Sequence, residues 1–362
     1  MSASFEIQSS GGPYTVEIKS YAFAEFIGRF SAAARIADAF FVPAFEELAT
    51  AALVPAIFID AIEVNKSLDA SPAVIERLRK GGANRQTELV AVGGGIVQDL
   101  SAFIASIYMR GLTWSYLPTT ILGMVDSCIG GKSSINVGPY KNLVGTFHPP
   151  RQVLIDPALA QTLPEDQKAS GLIEAAKICF CRGAESFERH LSYKPSVAIG
   201  TEALEAVIVN SLRAKKWFIE VDEFDKKERL LLNFGHTFGH AIEGASHFAI
   251  SHGIAVGLGI LCALTFERER GTDYGSSPRV AQLESHLETM VSSVAGMPDA
   301  LRTMPLDEVI ERFDSDKKHG PGHYTLILVA QDGDVVLRRI AKSAEVTGAV
   351  KRAVQSVVER FA

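Results

Sequence analysis

Residues Glu88-Leu-Val-Ala-Val92 form a short apolar run that passes directly into Gly93-Gly-Gly-Ile-Val-Gln-Asp99 and then into an amphipathic pattern ending near Tyr108. Strand, glycine turn and helix in that order make up most of a βαβ unit, whose next strand returns parallel to the first. The same alternation continues on both sides. Short runs at Ala39-Phe-Phe-Val-Pro43, Ala56-Ile-Phe-Ile-Asp60, Thr113-Trp-Ser-Tyr-Leu-Pro118 and Gln152-Val-Leu-Ile-Asp156 read as strands, with Ala73–Lys80 as a helix between them. The pattern predicts a parallel, Rossmann-like α/β sheet preceded by a β-hairpin over Phe5–Lys19.

The character of the chain changes at Thr162–Gly171, after which helical patterns run from about 172 to 315. A late hairpin is expected where Tyr324–Ala330 and Val335–Ile340 flank Gln331-Asp-Gly-Asp334. At 362 residues the chain exceeds one ordinary core. We expect an α/β domain over residues 1–168 and a mainly α-helical domain over 169–362.

Composition narrows the function classes. Apolar residues make up 47% and charged residues 22% of the chain, the balance of a globular protein. A net charge of −6 argues against a nucleic-acid partner, which calls for a basic face. No apolar run approaches a bilayer span, so no membrane association is expected. The cysteines Cys128, Cys179, Cys181 and Cys262 show no Cys-x-x-Cys pairing, and the N-terminus lacks a basic segment followed by an apolar one, so a reducing cytoplasm is the expected location.

Several stretches carry groups suited to chemistry. The glycine turn at Gly93–Gly95 lets backbone N–H groups at a helix start face a phosphate, although a ligand-free tight turn also favours glycine. Thr119 and Thr120 follow a strand and belong at the same carboxyl edge of the sheet. Val125–Gly145 reads as a long irregular loop holding Asp126, Lys132, Asn136, Lys141 and Asn142 among Gly130, Gly131, Gly138, Pro139 and Gly145. It suits a phosphorylated ligand, with solvated lysines as the alternative. His236 and His240, four apart, stack on one helix face and could begin a metal site or simply pack. Further ligands are available in His252 and in Glu174, whose helical pattern also carries Lys177. Gly235 and Gly239 flank the first histidine and imply that something approaches the backbone closely. The run Glu220–Arg229 reads mostly as a solvated face, with Lys215, Arg229 and Asn233 set apart because they lead into the histidine helix. Asp316-Lys-Lys318 is a further candidate anion contact.

Taken in order, Gly93-Gly-Gly-x-x-x-Asp99-Leu, Tyr108-x-Arg-Gly111, Leu117-Pro-Thr-Thr120, Val125-Asp-Ser-x-x-Gly-Gly-Lys132, Lys141-Asn142, Glu174-x-x-Lys177, Asn233-x-Gly-His-Thr-x-Gly-His240 and His252-Gly resemble the 3-dehydroquinate synthase and wider sugar-phosphate cyclase family over about residues 55 to 340. The resemblance implies an NAD-binding α/β domain before a helical domain, with the active site in the cleft between them. It implies Glu174, His236 and His252 as ligands of zinc, or alternatively cobalt, and leaves His240 for proton handling. It places NAD against Lys66, Gly94, Gly95, Ile96, Val97, Asp99, Thr119, Thr120, Asp126, Lys132, Lys141 and Thr162. Catalytic roles fall to His240, Lys177, Asp126, Lys132 and Asn142. The phosphate falls to Arg110, Lys132, Asn142 and Lys318, and a substrate carboxylate to Lys215, Arg229 and Asn233.

The family's equivalent of Arg110 can come from a neighbouring subunit, which implies a homodimer. The implied reaction takes 3-deoxy-arabino-heptulosonate 7-phosphate to 3-dehydroquinate and phosphate by transient NAD redox. The alternatives are a cyclase acting on another heptulose phosphate, of valiolone or amino-dehydroquinate type, and a metal-dependent NAD polyol dehydrogenase. Three departures favour the first alternative: Asp225 where relatives carry glutamate, Lys226-Lys-Glu228 in place of a glycine-containing segment, and Thr146-Phe-His-Pro149.

Overall fold

The structure, a computed structural model, describes residues 3–21, 23–48, 56–138 and 140–362. The chain divides into two compact units, Met1–Leu163 and Pro164–Ala362. A break after residue 168 would cut the first helix of the second unit, which starts at Glu165.

The first unit opens with β1 (Ala3–Ile7) and β2 (Tyr14–Ile18), an antiparallel hairpin. Then follow α1 (Phe23–Arg29), β3 (Ala34–Asp38), α2 (Val42–Glu47), β4 (Ala56–Ile59) and α3 (Ser71–Lys80). Next come β5 (Leu89–Gly93), α4 (Gly95–Ile107), β6 (Trp114–Pro118), β7 (Ile135–Val137), β8 (Tyr140–Val144) and β9 (Gln152–Ile155). Seven strands make one sheet in the order β1-β2-β9-β6-β5-β3-β4, parallel except for the β1–β2 pair. Every residue of β5, β6 and β9 is buried, as expected of strands covered on both faces. β1 and β2, at the sheet edge, alternate instead.

Two expectations fail here. The apolar run Ala39–Pro43 is not a strand: the strand lies just before it, and the run forms a 3-10 turn leading into α2. Asp38 caps that turn by accepting the Phe40 N–H, and Pro43 sits in the first turn of α2, where its missing N–H costs nothing. The stretch from Val125 to Gly145 is more ordered than a loop. It begins in a π-helical turn over Gly123–Ser127 and contains the β7–β8 hairpin. Pro139, beside that hairpin, lies outside the described residues.

The second unit holds α5 (Glu165–Arg182), α6 (Ala184–Ser192), α7 (Thr201–Val221), α8 (His236–Ala245), α9 (His252–Glu269), α10 (Pro278–Ser292), α11 (Met297–Thr303) and α12 (Leu306–Asp314). The hairpin of β10 (His323–Val329) and β11 (Val335–Ala341) and a last helix, α13 (Ala344–Phe361), complete it. α9 is buried along almost its whole length and is the core of this unit. Among the described residues no helix is long and apolar enough to cross a membrane.

Candidate functional site

In the helical unit, α5 carries Glu174 and Lys177 three residues apart on one face, both essentially without solvent exposure. Lys177 Nζ lies 2.5 Å from Glu174 Oε2. The other carboxylate oxygen, Oε1, has no hydrogen-bond partner. It faces His252 Nε2 at 3.7 Å and His236 Nε2 at 3.9 Å, too far for hydrogen bonds. His236 opens α8 and His252 opens α9. Their other ring nitrogens are engaged: His236 Nδ1 with the Phe234 carbonyl at 3.3 Å, His252 Nδ1 with Glu243 Oε2 at 3.1 Å. Both partners only accept, so each Nδ1 carries the proton and each Nε2 presents a lone pair towards Glu174.

The approach of α8 to α9 makes this possible. A Cβ on Gly259 would sit 2.1 Å from the Gly235 carbonyl oxygen, and one on Gly239 would sit 2.8 Å from that of Ala255. Gly235 also adopts φ 78°, a backbone that disfavours side chains. The close approach that the two glycines implied is therefore made by another helix of the protein. His240 lies one turn beyond His236, and the ligand atoms of His236, His240 and His252 all fall within 4.8 Å of one another.

Electrostatics separate the three rings. Burial, with the positive charge of Lys177, holds His236 well below the ordinary histidine range. His240 is held low as well, by surrounding protein and by His252 and Lys318, although the residue is exposed. For His252 burial acts against the charged form, but the hydrogen bond and charge of Glu243 outweigh it and the pKa is raised.

Tetrahedral coordination at 2.0–2.1 Å puts donor atoms about 3.4 Å apart. Glu174 Oε1 lies close to that spacing from each Nε2, and a buried carboxylate oxygen with no hydrogen bond is a donor that a cation would satisfy. The residues therefore fit a divalent ion. Lys215 and Arg229 are buried nearby in sequence, and Asn233 donates to the Leu230 carbonyl at 3.1 Å. The run Glu220–Arg229 is not simply a solvated face. Asp222 is buried and accepts the backbone N–H groups of Lys226, Lys227 and Arg229, folding the segment around itself. Asp225 takes φ 59°, which aspartate tolerates better than glutamate does. Lys318 Nζ is 3.3 Å from Asp316 Oδ2.

In the α/β unit, Thr119 N donates to the Gly93 carbonyl at 3.0 Å, which sets the two carboxyl strand ends side by side. Gly93 and Gly94 are required for packing, since a Cβ on either would strike Val97 at 2.7 Å or Thr120 at 2.9 Å. Gly95 differs: a Cβ there would meet nothing within 4 Å. It begins α4, whose N-cap, Gly94, offers no side chain to the first-turn N–H groups. That is the arrangement that receives a phosphate. Beside it, Lys66 Nζ donates to Asp99 Oδ2 at 3.2 Å and to Asn142 Oδ1 at 2.9 Å. Burial pushes the Asp99 carboxyl up to about 6 against the pull of Lys66. Asn142, at φ 52°, is held by Asn136 Oδ1, and Lys141 lies 3.5 Å from Glu63. Lys132 is exposed over the Phe147 ring, and Asp126 lies in the π-helical turn. Arg110 is exposed with φ 70°, and Thr162 is exposed. His148 accounts for one departure from the family pattern, because its ring bonds the Leu112 carbonyl at 2.8 Å and is structural.

Family models for the N-terminal and C-terminal parts of 3-dehydroquinate synthase match residues 56–170 and 171–319. The chain belongs to the 3-dehydroquinate synthase family. A 3-dehydroquinate synthase of Pyrobaculum islandicum is 37% identical over 292 residues, 79% of this chain and 82% of its own. That of Dehalococcoides mccartyi strain 195 is 34% identical over 285 residues, 78% of this chain and 77% of its own. Among solved structures, a 2-deoxy-scyllo-inosose synthase complexed with carbaglucose-6-phosphate, NAD+ and Co2+ aligns with TM-score 0.82 at 23% identity, covering 98% of this chain and 99% of its own. The ValA 2-epi-5-epi-valiolone synthase of Streptomyces hygroscopicus, with NAD+ and Zn2+, aligns at 0.79 and 24% identity, covering 96% and 97%.

As a member of the 3-dehydroquinate synthase family, the protein is an enzyme of the carbocycle-forming lyases. Within each unit the fold gathers the residues that the family resemblance singled out: Glu174, Lys177, His236, His240 and His252 in one, and Lys66, Gly94, Gly95, Asp99, Thr120 and Asn142 in the other. Glu243 was not anticipated as a contact, and Asn136, one of the polar residues of the Val125–Gly145 stretch, holds Asn142. Glu243 had one signal, its position seven residues after His236 on the same helix face.

Proposed function

We propose that the protein converts 3-deoxy-arabino-heptulosonate 7-phosphate into 3-dehydroquinate and inorganic phosphate, with NAD and a divalent ion, zinc or cobalt, as cofactors. The observation that carries this reading is Glu174 Oε1, a buried carboxylate oxygen without a hydrogen bond, facing two imidazole lone pairs. A buried charge in that state is costly, and a cation among Glu174, His236 and His252 offsets the cost. The cofactors in the two solved cyclases support the reading.

When bound, NAD supplies transient oxidation and re-reduction at a ring carbon, and the ion supplies Lewis acidity and a template for the substrate hydroxyls. The chain supplies the rest. Lys177 holds the Glu174 carboxylate in place through their ion pair. His240, exposed and one turn from His236, is the candidate proton carrier. Lys215, Arg229 and Asn233 are the donors for the substrate carboxylate, and Lys132, Asn142, Arg110 and Lys318 those for the phosphate. The first turn of α4 at Gly95, with Lys66 and Asp99, receives the dinucleotide; Ile96, Val97, Thr119, Thr120, Asp126, Lys141 and Thr162 complete that surface. A homodimer in which the exposed Arg110 reaches the partner's substrate is part of the same reading.

The departures at Asp225 and Lys226–Glu228 favour one competing reading, a cyclase for a heptulose phosphate lacking the carboxylate. Phosphate release from each substrate separates the two. The carboxylated substrate is expected to be preferred by on the order of 100-fold or more in kcat/KM, because a site built to bind a charged group rejects an analogue that lacks it. A reversed preference would establish the competing reading. Net accumulation of NADH would overturn both in favour of a dehydrogenase.

A further inference from the structure

We propose that Glu243 is a positioning residue for His252, fixing the tautomer and angle at which that imidazole meets the ion. The inference rests on the ligand set proposed above and adds a residue outside it.

Glu243 lies near the end of α8, and its Oε2 is 3.1 Å from His252 Nδ1. A carboxylate only accepts, so the contact commits the ring proton to Nδ1 and leaves Nε2 bare, 3.7 Å from Glu174 Oε1. The intervening segment is folded back onto the same residue. The Glu243 carbonyl accepts the Phe248 N–H at 3.1 Å and the Ser246 hydroxyl at 3.0 Å, and Ser246 Oγ accepts the Ile250 N–H at 3.3 Å. His247 and Phe248 take φ 50° and 66°, a backbone that non-glycine residues adopt at a cost. On the far side, Ser170 Oγ accepts the Gly253 N–H at 2.9 Å, tying the start of α9 to the helix that carries Glu174. His252 is therefore held through its ring by α8 and through its backbone by α5. His236 has only a backbone carbonyl at 3.3 Å in the corresponding place, so the charged anchor is peculiar to His252. A carboxylate on the distal nitrogen of a ligating imidazole orients the ring and raises its basicity towards the ion.

The test uses full-length protein stripped with a chelator and titrated with Co2+, whose visible bands report coordination. The parent is expected to take one Co2+ per chain, and His252→Ala to lose it. Glu243→Ala is expected to weaken Co2+ binding about 10- to 100-fold, with the melting temperature of the ion-free protein unchanged. Glu243→Gln is expected to recover most of the affinity, since its amide oxygen still accepts from Nδ1–H. Should the alanine variant fail to fold, Glu243→Met, with no acceptor, carries the same expectation. In the ion-free protein, at a pH alkaline enough for the ring to be neutral, 15N shifts of His252 are expected to report the Nδ1–H tautomer in the parent and a mixture in the alanine or methionine variant. Parental Co2+ affinity in Glu243→Ala alongside loss in His252→Ala would refute the positioning role and leave the ligand set intact. Parental affinity in His252→Ala would overturn the ligand set itself, and the role of Glu243 with it.

Discussion

Lys66 and Asp99 show how much of the α/β unit's surface chemistry depends on one ion pair. The ammonium touches a carboxylate that burial has already pushed up to about 6, and it also holds Asn142. Removing the ammonium lets the folded-state pKa of Asp99 rise further above its unfolded value. The resulting penalty is present above that pKa and disappears as the carboxyl takes up a proton on acidification. Lys66→Ala is therefore expected to lose about 1–3 kcal/mol of stability at pH 8 and to recover most of it near pH 5. Urea unfolding at the two pH values measures this, and a deficit equal at both would refute it. The expected fall in NAD affinity is read on the same variant by fluorescence titration. Lys66 was legible in sequence only through resemblance, because a lysine after Glu63-Val-Asn reads equally well as a solvated side chain. Glu243 was less legible still, since a carboxylate on a helix is ordinarily a surface group.

The crossing of α8 and α9 is made of absent side chains, and this is where the helical unit has least tolerance. Gly259→Ala would set a methyl 2.1 Å from the Gly235 carbonyl oxygen and 2.6 Å from Gly239 N, both backbone atoms that cannot rotate away. The expected cost is about 3 kcal/mol, measured by denaturant unfolding, with weaker ion binding because His236 and His252 are pushed apart. Unchanged stability would show that the helices can separate freely. At this scale the sequence was a good guide wherever a period was long and clean: β5, the glycine turn and α4 lie where the pattern put them. It misled where two local signals competed. Ala39–Pro43 is as apolar as a strand, but the Asp38 cap and Pro43 favour helical geometry. The β7–β8 hairpin was hidden because Tyr140–Val144 lacks a buried face and so shows no apolar alternation. That Gly235 and Gly239 mark a close approach was legible; that the partner is α9 was not, because a sequence does not say what fills the space.

Acid stability belongs to the folded unit as a whole. His190 in α6 has no solvent exposure, and neither ring nitrogen has a partner; His286 in α10 packs against it with ring centroids 5.4 Å apart. Burial lowers them to about 3 and about 4. Folded pKa values below the unfolded 6.5 mean that the unfolded chain takes up protons first. Stability is therefore full above pH 6.5 and is lost as pH falls towards the folded values. His190 alone is expected to remove about 2 kcal/mol between pH 7 and pH 5. His190→Leu is expected to flatten that slope, and an unaltered slope would refute the assignment. Sequence patterning had treated neither histidine as special, because burial of one helix against another is a property of the assembled unit. The family, by contrast, was legible over about residues 55 to 340, since eight short motifs in fixed order constrain one another. The contact of α8 and α9, backbone against backbone, has a last consequence. Because α8 and α9 meet with no side chain between them at the glycines, the positions of His236 and His252 are tied to one another, so a substitution that spreads the helices should loosen both imidazoles together rather than one at a time.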